Sequence, residues 1–301
     1  MRAFTRLVLA LGLAVSVPAF ADKDADASYK EGLAYKAENK PDQAIKSMEE
    51  AVATNPKHGM AWASLGAMYR QKKDLPRTID AYEHATALIT KDPVLWTNLG
   101  TAYAKAEKWD QALTALQTAC KLNPKDAEIR AWLGTVQRKK NDYPNAILNL
   151  EMAVKLKPDN ADWQHNLGVA YRFAKRDDDA IKALSAAVAL NDNDAQYHFD
   201  LAVAYRRKQD IDKAIPQYER ATALDPANAD GWFDLGYMYK ENHDNDKSAD
   251  AFAHYLKLKK GDSSAADGVK RVTDECAAMG NANCGGADSK KPPAKTPPKK
   301  K

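Results

Sequence analysis

The fifteen residues LGVAYRFAKRDDDAI at positions 167–181 have a counterpart thirty-four positions upstream, LGTVQRKKNDYPNAI at 133–147, and another thirty-four downstream, LAVAYRRKQDIDKAI at 201–215. An arginine holds the same place in each, at Arg138, Arg172 and Arg206. The register extends along the chain. The glycine of the LG pair returns at Gly66, Gly100, Gly134, Gly168 and Gly236, with Gly32 and Ala202 filling the other two slots. Self-similarity at a fixed period of this size marks a stacked-repeat architecture. The register divides the chain without insertion into seven repeats: 25–58, 59–92, 93–126, 127–160, 161–194, 195–228 and 229–262.

Each repeat predicts two helices. In WTNLGTAY (96–103), Trp96, Leu99, Gly100 and Tyr103 fall at i, i+3, i+4 and i+7, which is one helical face. DQALTALQTACKL (110–122) repeats that spacing with Ala112, Leu116 and Ala119. Polar breakers such as KKDLP and KKNDYP separate the two, with prolines suited to the first turn of the second helix. NPK, KPD and DPA close the unit.

Slot by slot the pattern resembles the tetratricopeptide repeat family. Tryptophan opens the first helix at Trp62, Trp96 and Trp232, and tyrosine follows at Tyr35, Tyr69, Tyr103, Tyr171, Tyr205 and Tyr239. Small packing residues come next at Ala44, Ala112, Ala146, Ala180 and Ala214, then at Ala51, Ala85, Ala119, Ala153, Ala187 and Ala221, with proline closing at Pro56, Pro124, Pro158 and Pro226. The resemblance implies an all-α solenoid of seven helix-turn-helix repeats in a right-handed superhelix with a concave inner wall. The physical logic agrees, because a two-helix unit cannot bury its own apolar face and only the stacked array is stable.

Three departures carry expectations. Gln137 replaces a tyrosine and Trp132 is displaced by two positions, so the fourth repeat should pack differently. Pro216 should remove a backbone hydrogen bond inside a second helix and bend it. Tyr255 takes the last packing-alanine slot, as suits a repeat with no successor. Residues 263–280 predict a capping helix with Ser264 as N-cap. Residues 281–301, rich in lysine and proline, have little to bury and read as a disordered basic tail.

The start of the chain differs in character. MRAFTR, the apolar run LVLALGLAVSV and the small-residue end PAFA make residues 1–21 a secretory signal peptide, with cleavage expected after Ala21. The run falls short of the roughly 20 residues that span a bilayer. The mature protein, residues 22–301, is therefore expected in the periplasm of a bacterium or secreted from it. Of the net charge of +4, Arg2 and Arg6 leave with the leader. Six lysines against Asp288 put +5 in the tail, which leaves −3 on residues 22–280. A faintly acidic body lacks the basic face that nucleic-acid binding requires.

The arginines of the opening sit one residue after the tyrosine slot, a position that the family resemblance turns toward the concave groove. In order the slot holds Lys36, Arg70, Ala104, Arg138, Arg172, Arg206 and Lys240, with Lys105, Lys139 and Arg207 adjacent. A basic ladder of this kind fits an acidic or extended peptide segment of a protein partner, since guanidinium grips carboxylate at two points. Solvated helix residues of no further role are the competing reading. Two residues before the glycine slot stand Ser64, Asn98, Asn166, Asp200 and Asp234. Asn98 and Asn166 match the family's asparagines that hold a bound chain, whereas Asp200 and Asp234 would accept donors or pair with Arg206 and Lys240. Phe173, Phe199 and Phe233, in successive repeats, offer an aromatic pocket or simply pack against neighbouring helices.

Cys276 and Cys284 can close a disulfide in an oxidising compartment, and Cys120 takes an apolar second-helix slot that predicts a buried thiol. The histidines show no metal-ligand spacing, and His198 in a tryptophan slot reads as a packed residue. No nucleophile elbow, phosphate loop or cofactor motif occurs, so no catalytic residue, metal or cofactor is assigned and the chain is read as a non-enzyme. Two functions follow: a protein-interaction scaffold in assembly of an envelope complex, or a binder of anionic surface polymer or lipid through tail and groove.

Overall fold

A computed structural model describes residues 24–280 and Cys284; the leader and the basic tail lie outside the described residues. The described chain is all-α, in two compact units that meet in sequence at Ala106 and Glu107. The first unit holds α1 (Ala25–Ala37), α2 (Pro41–Thr54), α3 (Gly59–Gln71), α4 (Leu75–Leu88) and α5 (Pro93–Lys105). The second holds α6 (Trp109–Leu122), α7 (Ala127–Lys139), α8 (Tyr143–Leu156), α9 (Ala161–Phe173), α10 (Asp177–Leu190), α11 (Ala195–Arg207), α12 (Ile211–Leu224), α13 (Ala229–Glu241), α14 (Asn245–Leu258) and α15 (Ala266–Met279). Within each unit, consecutive helices pack on one another.

First helices of 13 residues alternate with second helices of 14 residues throughout the repeats. Capping fixes these lengths. Asp92, Asp126 and Asp194 accept backbone N–H bonds at the starts of α5, α7 and α11, while Asp74, Asp142, Asp210 and Asp244 do the same for α4, α8, α12 and α14. Between the helices of a repeat the chain turns through one left-handed residue, at Asn39, Lys73, Glu107, Asn141, Lys175, Gln209 and His243. None is glycine. The following N–H reaches back to the tyrosine-slot carbonyl, as Arg176 does to Tyr171 at 2.9 Å, closing the helix in a Schellman arrangement.

The glycine slot is a point of close approach. A Cβ on Gly168 would lie 2.5 Å from Leu184 Cγ, and one on Gly236 would lie 2.3 Å from the Phe252 ring. The tyrosine slot ties a repeat to its predecessor. The hydroxyls of Tyr69, Tyr171 and Tyr239 donate to Glu49, Glu151 and Glu219 at 2.5 Å, and Tyr103 donates likewise to Glu83. Burial, followed by the glutamate partner, pushes the Tyr69 hydroxyl up to about 12.

The fourth repeat does pack differently. Buried Gln137 accepts from Asn149 Nδ2 at 2.8 Å, and Asn149 Oδ1 accepts from Arg130 at 2.7 Å, so a polar triad stands where other repeats use a tyrosine and a glutamate. Arg130 also explains the displaced tryptophan. The fourth residue of a first helix points a donor at the carbonyl six residues back: Trp62 to Pro56, Trp96 to Thr90, Arg130 to Pro124, Gln164 to Pro158 and Trp232 to Pro226. His198 Nε2 sits 3.1 Å from the Asp192 carbonyl in the same role, and its ring is buried. The slot selects for a long N–H donor as much as for an indole.

Helix α12 runs from Ile211 to Leu224 with Pro216 inside it, where the proline ring leaves no N–H to donate. Two expectations need correction. Cys120 is only partly buried. Ser264 is not the cap of the last helix: Asp262 accepts from the Ser264 N–H and hydroxyl in a short 3-10 turn, and α15 starts after it, at Ala266. Val272 and Cys276 of α15 are buried with Phe252 and Tyr255 of α14. A Cβ on Gly268 would meet the Tyr255 hydroxyl at 2.2 Å, so the bulky terminal residue needs a glycine opposite. Cys276 and Cys284 are joined by a disulfide, with Cα atoms 5.3 Å apart.

Candidate partner-binding face

The basic slot is residue twelve of each first helix, and the Asn/Asp slot is residue six. These two sets, separate in sequence, meet in space across successive repeats. In the first unit Arg70 Nη1 donates to Asn98 Oδ1 at 2.8 Å. In the second, Arg138 Nη2 donates to Asn166 Oδ1 at 2.8 Å, Arg172 Nη2 to Asp200 Oδ1 at 2.9 Å, and Arg206 Nη1 to Asp234 Oδ1 at 2.6 Å. Lys240 pairs instead with Glu275 of α15. The expected pairs of Asp200 with Arg206 and Asp234 with Lys240 are therefore wrong by one repeat. Residues six apart on one helix are not face neighbours, whereas position twelve lies against position six of the next first helix.

Asn98 and Asn166 are themselves tied into the array. Each amide oxygen is taken by an arginine, and Asn166 Nδ2 donates to the Asp162 carbonyl at 2.8 Å. The row is thus a linked scaffold of side chains rather than a free ladder.

Its electrostatics change along the second unit. Buried Asp200 accepts from His165 and Gln196, each at 2.8 Å, as well as from Arg172. Burial pushes its carboxyl up, but the bonds from His165 and Gln196 and the Arg172 charge outweigh this and hold it below the usual range. Asp234 goes the other way: burial raises it by more than Arg206 and the Tyr218 hydroxyl, 3.1 Å away, lower it. Arg138 has only an amide as partner, and burial lowers its guanidinium from the usual value. The Nε atoms of Arg138 and Arg172 are both buried without a hydrogen-bond partner.

The flanking cations divide. Lys36, Lys105 and Lys139 are exposed, while Arg207 is held by Asp177 at 2.7 Å. Lys105, Arg70 and Lys73 border a cavity of about 290 Å³ in the first unit, with Leu75, Thr78 and Thr101 on its other walls. The phenylalanines do not gather into one pocket. Phe173, 49% exposed, stacks on Tyr143 at 5.2 Å with the Arg172 guanidinium 4.7 Å from its ring. Phe199 meets Tyr218 edge-on, and Phe233 lies between Tyr237 and Tyr255. Each ring packs on a tyrosine instead, Phe173 on one from the preceding repeat and Phe199 and Phe233 on ones from their own. Tyr143, His165 and Gln196 were not singled out from sequence, because each occupies a slot whose residue type varies from repeat to repeat. Among the described residues no group of three or more His, Cys, Asp or Glu side chains converges as metal ligands would.

A family model described as Cilia and flagella-associated protein 70 C-terminal domain matches residues 9–232, and one described as Tetratricopeptide repeat matches residues 217–250. No curated protein matches the chain. Among solved structures, YrrB, described as a TPR protein with an unusual peptide-binding site, is 22% identical over 64% of this chain and 99% of its own, with a TM-score of 0.55. A tetratricopeptide repeat protein from Parabacteroides merdae is 13% identical over 85% of this chain and 99% of its own, with a TM-score of 0.57. The APC/C hetero-tetramer Cut9–Hcn1 matches at 26% identity over 73% of this chain and 43% of the matched chain, with a TM-score of 0.56.

Proposed function

This chain belongs to the tetratricopeptide repeat family, and from that premise we propose that it is an exported interaction scaffold that holds an extended or helical segment of a protein partner on its first-helix face. One observation carries the reading: the arginines of that face are fixed in place by the next repeat before any partner arrives. A preset guanidinium loses little side-chain entropy on binding, so it favours recognition over solubility alone. The peptide-binding description of YrrB and the assembly named for Cut9 point the same way. Within the second unit Lys139 and the half-exposed Phe173 extend the face, and its cations favour an acidic or extended partner segment. The leader at residues 1–21 and the Cys276–Cys284 bond support a periplasmic or secreted location, where oxidised thiols persist.

The test places a photo-crosslinking residue at Phe173 on the first-helix face, and in a separate variant at exposed Lys155 on α8. Crosslinking in the native envelope should capture a discrete partner from position 173 and not from 155. Equal capture from both positions, or none from 173, would sink the reading.

A further inference from the structure

Arg138, Arg172 and Arg206 occupy equivalent places, yet only two of the three meet a carboxylate. Among the described residues Arg138 donates only to the neutral amide of Asn166. Its guanidinium is partly buried, with Nε sealed from water and unbonded. Asp200 is within electrostatic reach, but its oxygens are already taken by Arg172, His165 and Gln196. A cation removed from water without an adjacent counter-charge is unfavourable, and proteins pair such groups. Arg70 has the same amide partner but stands exposed, where water compensates it.

Tyr143, within electrostatic reach of Arg138, belongs to the other unusual feature of this face. The position occupied by Phe173 is an alanine at 37, a glutamine at 71, a lysine at 105 and 139, an arginine at 207 and a glutamate at 241. At 207 it forms an ion pair with the residue thirty positions back, Asp177. Only at 173 do the two places hold rings, Phe173 and Tyr143, stacked nearly parallel at 5° with the phenylalanine half in solvent. A half-exposed ring on a row with no other aromatic side chain has apolar area to bury against something flat.

Resting on the interaction face proposed above, we infer that Arg138, Tyr143 and Phe173 form one two-point subsite for a carboxylate set next to an aromatic side chain in the partner segment. The carboxylate supplies the counter-charge that Asn166 does not, on the open edge of the guanidinium. The aromatic side chain packs on the part of Phe173 that Tyr143 and Arg172 leave in solvent. Arg172 and Arg206, already neutralised, position their neighbours and do not take the acid. The acidic contact is thus local to α7–α9 and not spread along the whole row.

The probe is the blocked dipeptide N-acetyl-Glu-Phe-amide, titrated into the full mature protein to about 10 mM, a range that registers even a millimolar Kd. Arginine Nε–H resonances are followed by NMR, with variants to assign Arg138. The expected result is a saturating shift of the Arg138 signal. It should weaken about tenfold or more with the Gln-Phe dipeptide, and should weaken also with the Glu-Ala dipeptide and in the F173A variant. R138Q, which keeps a donor for Asn166, should abolish the dipeptide-induced shift of the Phe173 backbone amide, followed in the same titration, while circular dichroism stays unchanged. R206Q should leave the Arg138 response intact. Equal responses to Glu-Phe and Gln-Phe, an equal response to acetate alone, or a response that survives R138Q would each overturn the subsite. If the dipeptide fails while the crosslinker at 173 still captures a partner, the subsite falls and the face stands. If both fail, the interaction face falls with it.

Discussion

Arg138 and Arg172 sit one repeat apart, reach 2.8 and 2.9 Å to their partners, and each keeps an unbonded buried Nε. One meets an amide and the other a carboxylate buried among three donors. Backbone and reach are the same, so a single atom pair at position six decides whether the cation is spent inside the array or left for a ligand. A repeat array can therefore vary its binding chemistry rung by rung without disturbing the helices that carry it.

The widest separation between the two rungs should come from deleting the acceptors. D200A strands Arg172 and His165 in a buried site and should destabilise the protein by about 3–5 kcal/mol. N166A removes one bond to a cation and should cost about 1–3 kcal/mol. Urea unfolding followed by circular dichroism reads both, and equal losses would show that the buried charge at Asp200 is not special. Next in size, N166D makes the first rung like the second. It should raise stability by about 1 kcal/mol, the margin of a charged over a neutral acceptor, and should weaken the acidic dipeptide at Arg138. A variant that is no more stable would mean that carboxylate desolvation cancels the gain.

Acid separates two carboxylates of the same row. Asp200 is held below its unfolded value, so its contribution is complete above about pH 4 and is lost as pH falls through the folded value. Asp234 is raised, so its contribution is complete below about pH 4 and is lost as pH rises through its folded value. The stability difference between wild type and D200N should therefore shrink on acidification below pH 4, while that between wild type and D234N should grow as pH falls toward 4. Parallel curves would contradict the different burial and partners of the two sites. The smallest effect concerns the turns of the same two repeats, Asn141 at φ 62° and Lys175 at φ 59°. Lysine resists the left-handed region more than asparagine does, so K175G should stabilise by about 0.5 kcal/mol and N141G by less. Thermal unfolding compares them, and a loss at 175 would refute the strain.

Much of the fold could be read from the spacing alone, because a thirty-four-residue period with apolar residues at helical intervals has few solutions. Helix pairing, small residues at close approaches and the closing of the array by α15 all follow from Gly168, Ala180 and Tyr255 in their slots. The candidate face was legible as residue types but not as contacts. Arg172 and Asp200 lie 28 positions apart, a separation that has meaning only once the stagger between neighbouring first helices is known. The three phenylalanines misled for a similar reason. Equal spacing along the chain says nothing about which larger residue, Tyr143, Tyr218 or Tyr255, fills the gap beside each ring.

The arginine contacts also give the second unit a direction. Each cation reaches toward the C-terminus and each acceptor is reached from the N-terminal side, so the row has a donor end and an acceptor end, as a polymer has a head and a tail. Removing repeats from the front would leave capped acceptors without their donors, whereas cutting behind residue 262 would leave Lys240 bare, since Glu275 is what terminates it. The last helix is in that sense a chain stopper: it presents one carboxylate where another repeat would begin, and so fixes the length at which the series ends.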